Sequence, residues 1–362
     1  MARDLTLLLP GLLGPAPRAW AVSAVGKPRR LTHVECLLGR ADRLPGIAGD
    51  PTGLFAAFGI AIGNGPDGPT APFRRLADDP DGDPSGYWVR ADPIHLRPDR
   101  DRARLFDARF LSIQRAEADA LVATFNAHFA DDGLILVAPT VDRWYLRPDH
   151  PLTWPTLPLE AVVGQPVVGG LPRGDTAGPW ATRLNEIQML FHQAEVNQQR
   201  LRTGRPAING LWLSGGGELP KPPAGPLWGS VRSRSPLAIG LARWSGAPVA
   251  DMPNGLTDWD LGWQAGSQLL HWDGPQRALG DRDEAAWLAA VDEIEAGLAD
   301  LFRAVRRGRL GRFELDPGLG IRYRVTRRTE WRLWRRRRTL AEQLDPDDEP
   351  DSPRPGRAVA RG

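Results

Sequence analysis

The sequence predicts an α/β protein, a sheet with helices on both faces into which a small α+β unit is inserted. Three observations carry this. Short apolar, strand-like runs alternate with longer amphipathic, helix-like segments along most of the chain. Residues 86–148 break that alternation and read as strand, turn, strand, helix, strand, strand. Pro, Asp and Gly crowd the flanks of that block, Gly63–Gly86 before it and Pro148–Gly178 after it, as linkers would. The resulting division gives 1–85 and 149–338 to two parts of one core and 86–148 to the inserted unit. Residues 339–362 form a polar, Pro-rich tail expected to stay disordered.

The elements run in order. Leu5–Leu9 is an apolar first strand; Asp4 before it and Pro10-Gly11 after it argue against a signal peptide. A helix starts at Thr32, where Thr32-His-Val-Glu35 has capping-box spacing, and runs to about Arg43. A weaker helix spans roughly Thr52–Ile60. A third begins after Ser112 and carries Ile113, Ala116, Ala120, Leu121, Thr124, Phe125 and Phe129 on one face. A fourth runs from Thr182 to about Leu201, with Leu184, Ile187, Phe191, Ala194 and Leu201 facing inward. The fifth spans Asp283–Arg307, has Trp287, Val291, Ile294, Leu298, Leu301 and Val305 as its stripe, and stops at Gly308. Further strands are expected at Tyr87–Ala91, Gly133–Ala138, Trp144–Arg147, Ala207–Leu213, Leu237–Leu241, Ser267–Trp272, Gly311–Leu315 and Ile321–Thr326.

Composition narrows the function classes. The chain has 362 residues, 41% hydrophobic and 25% charged, within globular limits. No apolar run reaches the roughly 18 residues of a membrane span. The single cysteine, Cys36, excludes an internal disulfide framework and a Cys-rich zinc site. A cytoplasmic address is expected. The net charge of +2 hides an uneven distribution. Arg303–Arg338 holds 14 Arg against Glu314, Asp316 and Glu330, a net of +11, whereas residues 339–362 carry 3 Arg and 6 acids, a net of −3. Lys27 and Lys221 are the lysines; the remaining cations are guanidinium groups, suited to bidentate phosphate or carboxylate contacts.

Several nucleotide and hydrolase signals fail. There is no Gly-x4-Gly-Lys-Ser/Thr loop and no Gly-x-Ser-x-Gly elbow. Gly59-x3-Gly63-x-Gly65 has the wrong spacing for a dinucleotide fingerprint, and His33-Val-Glu35 lacks the Cys pair of a deaminase. The six histidines are scattered without metal-ligand spacing. Four stretches remain. Ala207–Gly217 is a hydrophobic strand ending in Gly215, Gly216 and Gly217, whose backbone N–H groups could approach an anion; the plain alternative is a tight turn. Gly86–Leu96 places Arg90, Asp92 and His95 among apolar residues, so Arg90 and His95 could hold a phosphate, or the strand is simply salt-bridged. Leu270-His-Trp-Asp273, ahead of Asp283, offers a His and carboxylates for a divalent metal, or a turn and a helix cap. Arg322–Arg338 mixes Arg with Trp331 and Trp334. That mixture suits nucleic acid or anionic lipid, or is a solvated arm with the Trp rings packed on the body.

The ordered set Leu7-Leu-Leu-Pro-Gly-Leu-Leu13, Tyr87-Trp-Val-Arg-Ala-Asp-Pro-Ile-His-Leu96, Arg143-Trp-Tyr-Leu146 and Asn209-Gly-Leu-Trp-Leu-Ser-Gly-Gly-Gly217 resembles the RpfE-type bacterial regulatory protein family, whose members are often labelled cofactor-independent phosphoglycerate mutase. The resemblance covers most of residues 5–335. It implies an alkaline-phosphatase-like sheet with an inserted α+β lid, Ala91–Tyr145 being similar in layout to that lid. In the mutases two divalent metals, Mn or Mg, and a transiently phosphorylated Ser perform the chemistry. This sequence departs at each point. Pro10-Gly11 stand where the first strand should end in a metal-binding Asp. Asp50–Gly59, which resembles the nucleophile's neighbourhood, offers Thr52 and no Ser. Asp273 has no His four residues on, and no final Asp-His pair follows the fifth helix. The expectation is therefore a degenerate, non-catalytic regulatory or anion-binding protein that needs no cofactor. Its anion site would gather Arg90, His95, Asn209 and Gly215–Gly217 around a small phosphorylated or anionic ligand, and a protein partner of unspecified kind is implied. The alternatives are an active metal-dependent mutase, with Thr52 as nucleophile and Asp273 on the metal, and an Arg-rich nucleic-acid or membrane-surface binder.

Overall fold

The computed structural model describes residues 3–14, 16–22, 29–62, 67–99, 102–163, 178–252, 256, 266–332 and 334–344. The expected disordered tail 339–362 is corrected at its start, where 339–344 is ordered with Leu340 and Ala341 buried; its remainder, parts of both expected linkers, and Gly63 and Gly65 lie outside the described residues. The chain runs β1 (Asp4–Leu8), α1 (Thr32–Arg40), β2 (Asp42–Ala48), α2 (Thr52–Ala57), α3 (Thr70–Asp78), β3 (Trp88–Asp99), β4 (Arg102–Phe106), α4 (Ala108–Leu111), α5 (Arg115–His128), β5 (Ile135–Val137), β6 (Tyr145–Arg147) and α6 (Trp180–Gln193). It continues through α7 (Glu195–Arg202), β7 (Gly210–Gly217), β8 (Ser230–Arg232), α8 (Pro236–Trp244), β9 (Val249–Ala250), β10 (Gln268–His271), α9 (Gly274–Gly280), α10 (Glu284–Arg306), β11 (Arg312–Asp316), β12 (Leu319–Thr326), α11 (Arg327–Glu330) and α12 (Leu340–Gln343). Two compact units result. The first joins Met1–Gly49 to Met252–Gly362, and the second is Asp50–Asp251.

In the first unit the strand order is β2-β12-β11-β1-β10. β1 runs parallel to both neighbours, and β12 is antiparallel to β11 and β2. Strand alternation sorts the side chains. Leu5, Leu7, Leu270, Phe313 and Leu315 are buried against Val34, Leu37 and Leu38 of α1 and the stripe of α10. All six expected stripe residues, from Trp287 to Val305, are buried, and full burial of each such side chain stabilises by about 1.5–3 kcal/mol. Asp283 caps α10 by accepting from the Ala286 amide at 2.9 Å, and Gly308 ends it at φ +69°. The other sheet face carries Thr6, His271, Glu314, Asp316, Arg322 and Arg324, with Glu314 bound to Arg324 at 2.8 Å.

In the second unit β3 is the shared strand. β7 pairs along one edge, from Trp88 opposite Gly217 to Ile94 opposite Gly210. β6 and β4 divide the other edge, at Val89–Arg90 and His95–Asp99 respectively, and β5 follows β6. One face presents Val89, Ala91, Leu211 and Leu213 to Phe125 of α5, Phe129 just past its end, and Phe191 of α6. The opposite face puts Ile94 and Trp212 with Leu105, Leu159 and Val162. The stretch 86–148 is thus continuous in structure with later parts of the chain, because its long strand is completed by β7.

Several expectations give way to the observed elements. Leu237–Leu241 is helix rather than strand. Pro236 occupies the first turn of α8, where its missing N–H costs nothing, and Gly240 lets the helix meet α3 so closely that an added Cβ would lie 1.7 Å from the Phe73 carbonyl oxygen. The fourth helix breaks at Ala194, and Leu201 is 50% exposed rather than inward. α3 forms within the stretch expected to be a linker, and the first helix ends at Arg40 rather than about Arg43, followed by the strand β2. Thr32 is no cap: Leu31 holds the N-cap position without a side-chain bond. The Glu295 carboxylate of α10 instead accepts from the His33 and Val34 amides, at 2.8 and 2.9 Å, and from His33 Nδ1 at 2.9 Å. A charged acceptor on two orphan N–H groups of a helix start gains from both the bonds and the dipole.

Glu295→Ala is expected to destabilise the protein by about 1–2 kcal/mol, the range of a lost cap, as read by urea denaturation. Unchanged stability would show that the contact contributes nothing.

Candidate functional site

The residues expected to cradle an anion are engaged by their own fold. A Cβ added at Gly215, φ +64°, would lie 2.2 Å from Thr70 Oγ1; at Gly216, 2.2 Å from the Tyr87 hydroxyl; at Gly217, 2.4 Å from Pro69 Cβ. The three glycines admit the start of α3 and the Tyr87 ring against β7. The Gly215 amide donates to the Asp67 carboxylate, which also accepts from Thr156 Oγ1 at 2.8 Å. Burial raises the Asp67 carboxyl above its usual range, against those two bonds. Asn209 clasps one backbone residue: its Oδ1 accepts from the Leu96 amide at 2.7 Å and its Nδ2 donates to the Leu96 carbonyl at 2.9 Å.

Arg90 is buried beneath β3 and neutralised there. Its guanidinium meets Asp92 at 2.7 Å and Glu160 at 3.2 Å, and Arg74 approaches Glu160 from α3 at 3.8 Å. Burial alone would lower the Arg90 guanidinium; the two carboxylates reverse this and hold it raised. Burial pushes the Asp92 carboxyl from 3.8 up to about 6 despite Arg90. Burial would also raise Glu160, but Arg90 and Arg74 bring it down to about 2; its side chain is 59% exposed, so water screens that pairing. Nearby, Asp78 takes a bidentate contact from Arg143 at 2.8 and 2.9 Å and the Tyr145 hydroxyl at 2.6 Å.

His95 does not join Arg90. The two are five residues apart in a regularly paired stretch, so alternation sends them to opposite faces. Thr52 is the half-buried first residue of α2. Asp273 occupies the N-cap position of α9 and pairs with Arg277 at 3.4 Å. At the carboxyl ends of the first unit's parallel strands, His271 and Asp316 flank Leu8 in register, one on each neighbouring strand. Asp316 accepts from the Gly318 amide at 2.8 Å, and burial raises its carboxyl. Among the described residues no group of three His, Cys, Asp or Glu side chains could hold a metal ion, so the donor set of a two-metal site is not assembled there. Asp258 and Asp260 lie outside the described residues.

His95 instead lines a cleft of about 360 Å³ with Arg97, Phe106, Phe110, Leu201 and Arg205. The register that sets His95 opposite Phe106 builds its wall. Phe106 lies 4.7 Å from Phe110, ring centre to centre, and the Arg97 guanidinium stands 5.2 Å over the Phe106 ring. His95 Nδ1 donates to the Ala207 carbonyl at 2.8 Å, which leaves Nε2 as the acceptor nitrogen of the neutral ring. Arg205 is held by Glu117 at 2.8 Å and the Ser112 carbonyl at 2.8 Å. Phe110 is 52% exposed and Leu201 50%, an apolar surface left open beside two guanidinium groups and an imidazole. Sequence reading found only His95, since Arg97, Phe106 and Arg205 meet through a hairpin and a loop far along the chain. The alternation of Phe106 and Arg97 across a short turn was the available signal.

No family model matches this chain. A curated relative, the 2,3-bisphosphoglycerate-independent phosphoglycerate mutase of Methanothrix thermoacetophila, is 32% identical over 100 residues, 26% of this chain and 26% of that protein. The match therefore spans about a quarter of the relative's length and gives a distant relation at superfamily level. Among solved structures, the PH0037 protein from Pyrococcus horikoshii shares the fold, with TM-score 0.56 and 15% identity, over 90% of this chain and 87% of that one. The cofactor-independent phosphoglycerate mutase from Thermoplasma acidophilum aligns with TM-score 0.48 and 16% identity over 90% of each chain. The expected α/β sheet flanked by helices is the fold observed here and shared with the PH0037 protein. No helix among the described residues is long and apolar enough to cross a membrane.

Gly216→Ala is expected to destabilise the second unit by about 1–3 kcal/mol, as overpacking does, because the methyl would displace Tyr87; a denaturation midpoint equal to wild type would refute that packing role. For Asp92, a carboxyl raised in the folded state binds its proton more tightly there than in the unfolded chain. Its contribution is present at low pH and declines as pH climbs from about 4 to 6. The stability difference between wild type and Asp92→Asn is expected to fall by about 1–3 kcal/mol across that window in urea titrations, whereas a rising difference would reverse the assignment.

Proposed function

We propose that this chain is a degenerate relative of the cofactor-independent phosphoglycerate mutases, of the RpfE-type regulatory kind, that binds a small anion and transfers no phosphoryl group. One observation supports this most: the strand ends of the first unit present Pro10, His271 and Asp316 where a two-metal site needs several convergent ligands. Thr52, the candidate nucleophile, brings no such ligand set with it among the described residues. The anion's place is the His95 cleft, because Arg90 is already matched by Asp92 and Glu160. Its mixture of open aromatic surface, Arg97 and Arg205 suits a ligand with a flat or apolar body and a carboxylate or phosphate. A cytoplasmic setting accords with a phosphorylated metabolite as ligand.

The second reading, an active mutase, is favoured by the local likeness to the Methanothrix enzyme. Metal analysis and a mutase assay in manganese separate the two. The proposed reading expects neither stoichiometric metal nor turnover; turnover abolished by Thr52→Ala would establish the enzyme. Phenyl phosphate, used as the probe in calorimetry, is expected to bind, and Arg97→Ala to weaken it about tenfold, a loss of some 1.4 kcal/mol. Equal binding by the variant would remove the anion from this cleft.

A further inference from the structure

The Arg-rich segment after β12 is a built feature of the first unit. Thr329 is buried, and its hydroxyl accepts from the Thr326 amide at 2.9 Å while its own amide donates to Thr326 Oγ1 at 3.4 Å. Arg332 donates to Asp42 at 2.5 Å and to the Arg40 carbonyl at 3.3 Å. Gly39 of α1 lets the Arg336 backbone approach, since a Cβ there would lie 2.3 Å from the Arg336 carbonyl oxygen. Leu340 and Ala341 then enter the core, and Thr339 and Glu342 exchange capping-box bonds at 2.7 and 3.1 Å.

Between these anchors two tryptophans stand in solvent. Trp331 is 65% exposed and Trp334 80%. The rings therefore do not pack on the body, the arrangement a plain solvated arm would have. Trp144, Trp212 and Trp287 are wholly buried, so this exposure is not the habit of the residue in this chain. Arg327 and Arg328 are exposed on one side of the pair and Arg335–Arg337 on the other. Arg336 is matched by Glu342 at 2.6 Å; among the described residues no carboxylate pairs with Arg327, Arg328, Arg335 or Arg337.

We propose that Trp331 and Trp334, bracketed by these guanidinium groups, form a docking surface for an anionic phospholipid membrane. Indole rings favour the headgroup boundary, where the ring is half desolvated and its N–H stays hydrogen-bonded, and clustered cations add attraction to an acidic leaflet. Binding a nucleic-acid strand calls for aromatics spaced along a basic groove that tracks the backbone, whereas the two exposed rings here, Trp331 and Trp334, are three residues apart in one short stretch. The anchors matter energetically, because the ties of Arg332 to Asp42 and of the Arg336 backbone to Gly39 reduce the freedom lost on docking. The surface is independent of the His95 cleft, and its failure would leave the proposed anion binding intact.

Flotation of the full-length protein tests it, with vesicles of phosphatidylcholine alone or with about one-third phosphatidylserine. Binding is expected to the acidic vesicles only and to decline as salt shortens the screening length. The double variant Trp331→Ala/Trp334→Ala, and separately Arg335→Ser/Arg337→Ser, should each lower partitioning about tenfold or more with an unchanged circular dichroism spectrum and unchanged phenyl phosphate binding. Added inorganic phosphate at millimolar level should not compete; full competition would mean that a single phosphate is read, and would overturn the membrane assignment. Absence of binding, equal binding to neutral vesicles, or undiminished binding by the tryptophan variant would also overturn it. So would capture of a labelled single-stranded oligonucleotide in place of vesicles.

Discussion

Alternation along β3 governs the second unit. Twelve residues of one strand serve β7 on one edge and β6 with β4 on the other, so each side chain has its face assigned by position alone. Even-numbered residues from 90 to 94 go to the side closed by Leu159 and Glu160, and odd-numbered ones to the side packed on α5 and α6. A one-residue slip would bring Arg90 into the apolar layer of Phe125 and Phe191, where no carboxylate waits. The buried ion pair therefore acts as a register lock as much as a source of stability, and a buried pair of this kind is better explained by specificity than by net energy.

The same rule explains what could be read in the sequence and what could not. The α10 stripe, β1, β10, β11 and β12 were legible, because their hydrophobic periods are long and uninterrupted. α8 was not: Leu237–Leu241 is apolar throughout, and a short apolar run fits helix and strand equally until its neighbours are known. α3 lay hidden in turn-rich sequence because its stability comes from β7 and α8 rather than from its own propensity. The glycine triplet looked like a phosphate cradle, since close backbone approach has the same signature whether the visitor is an anion or Tyr87. Grouping Arg90 with His95 was a parity error visible in the numbering itself.

The chemistry that persists is distributed differently from what the resemblance implies. Positive groups near β3 fall into two classes. Arg90, Arg143 and Arg200 are tied into internal carboxylates and carbonyls and hold elements together. Arg97 is exposed over the Phe106 ring, and in the proposed reading it is the group that meets a ligand. Sorting guanidinium groups by what already neutralises them thus separates framework from recognition in a chain whose cations are almost all arginine.

The close contact between Gly39 and the Arg336 backbone, with Leu340 and Ala341 inserted beyond it, makes the late part of the chain a structural wedge. A shortened protein ending at Leu344 would still fill the gap beside Leu13 and Ala21, whereas one cut after Arg338 would open a void among them. Both cuts leave Arg322–Arg338 in place, so what separates them is the loss of Leu340 and Ala341 from the core.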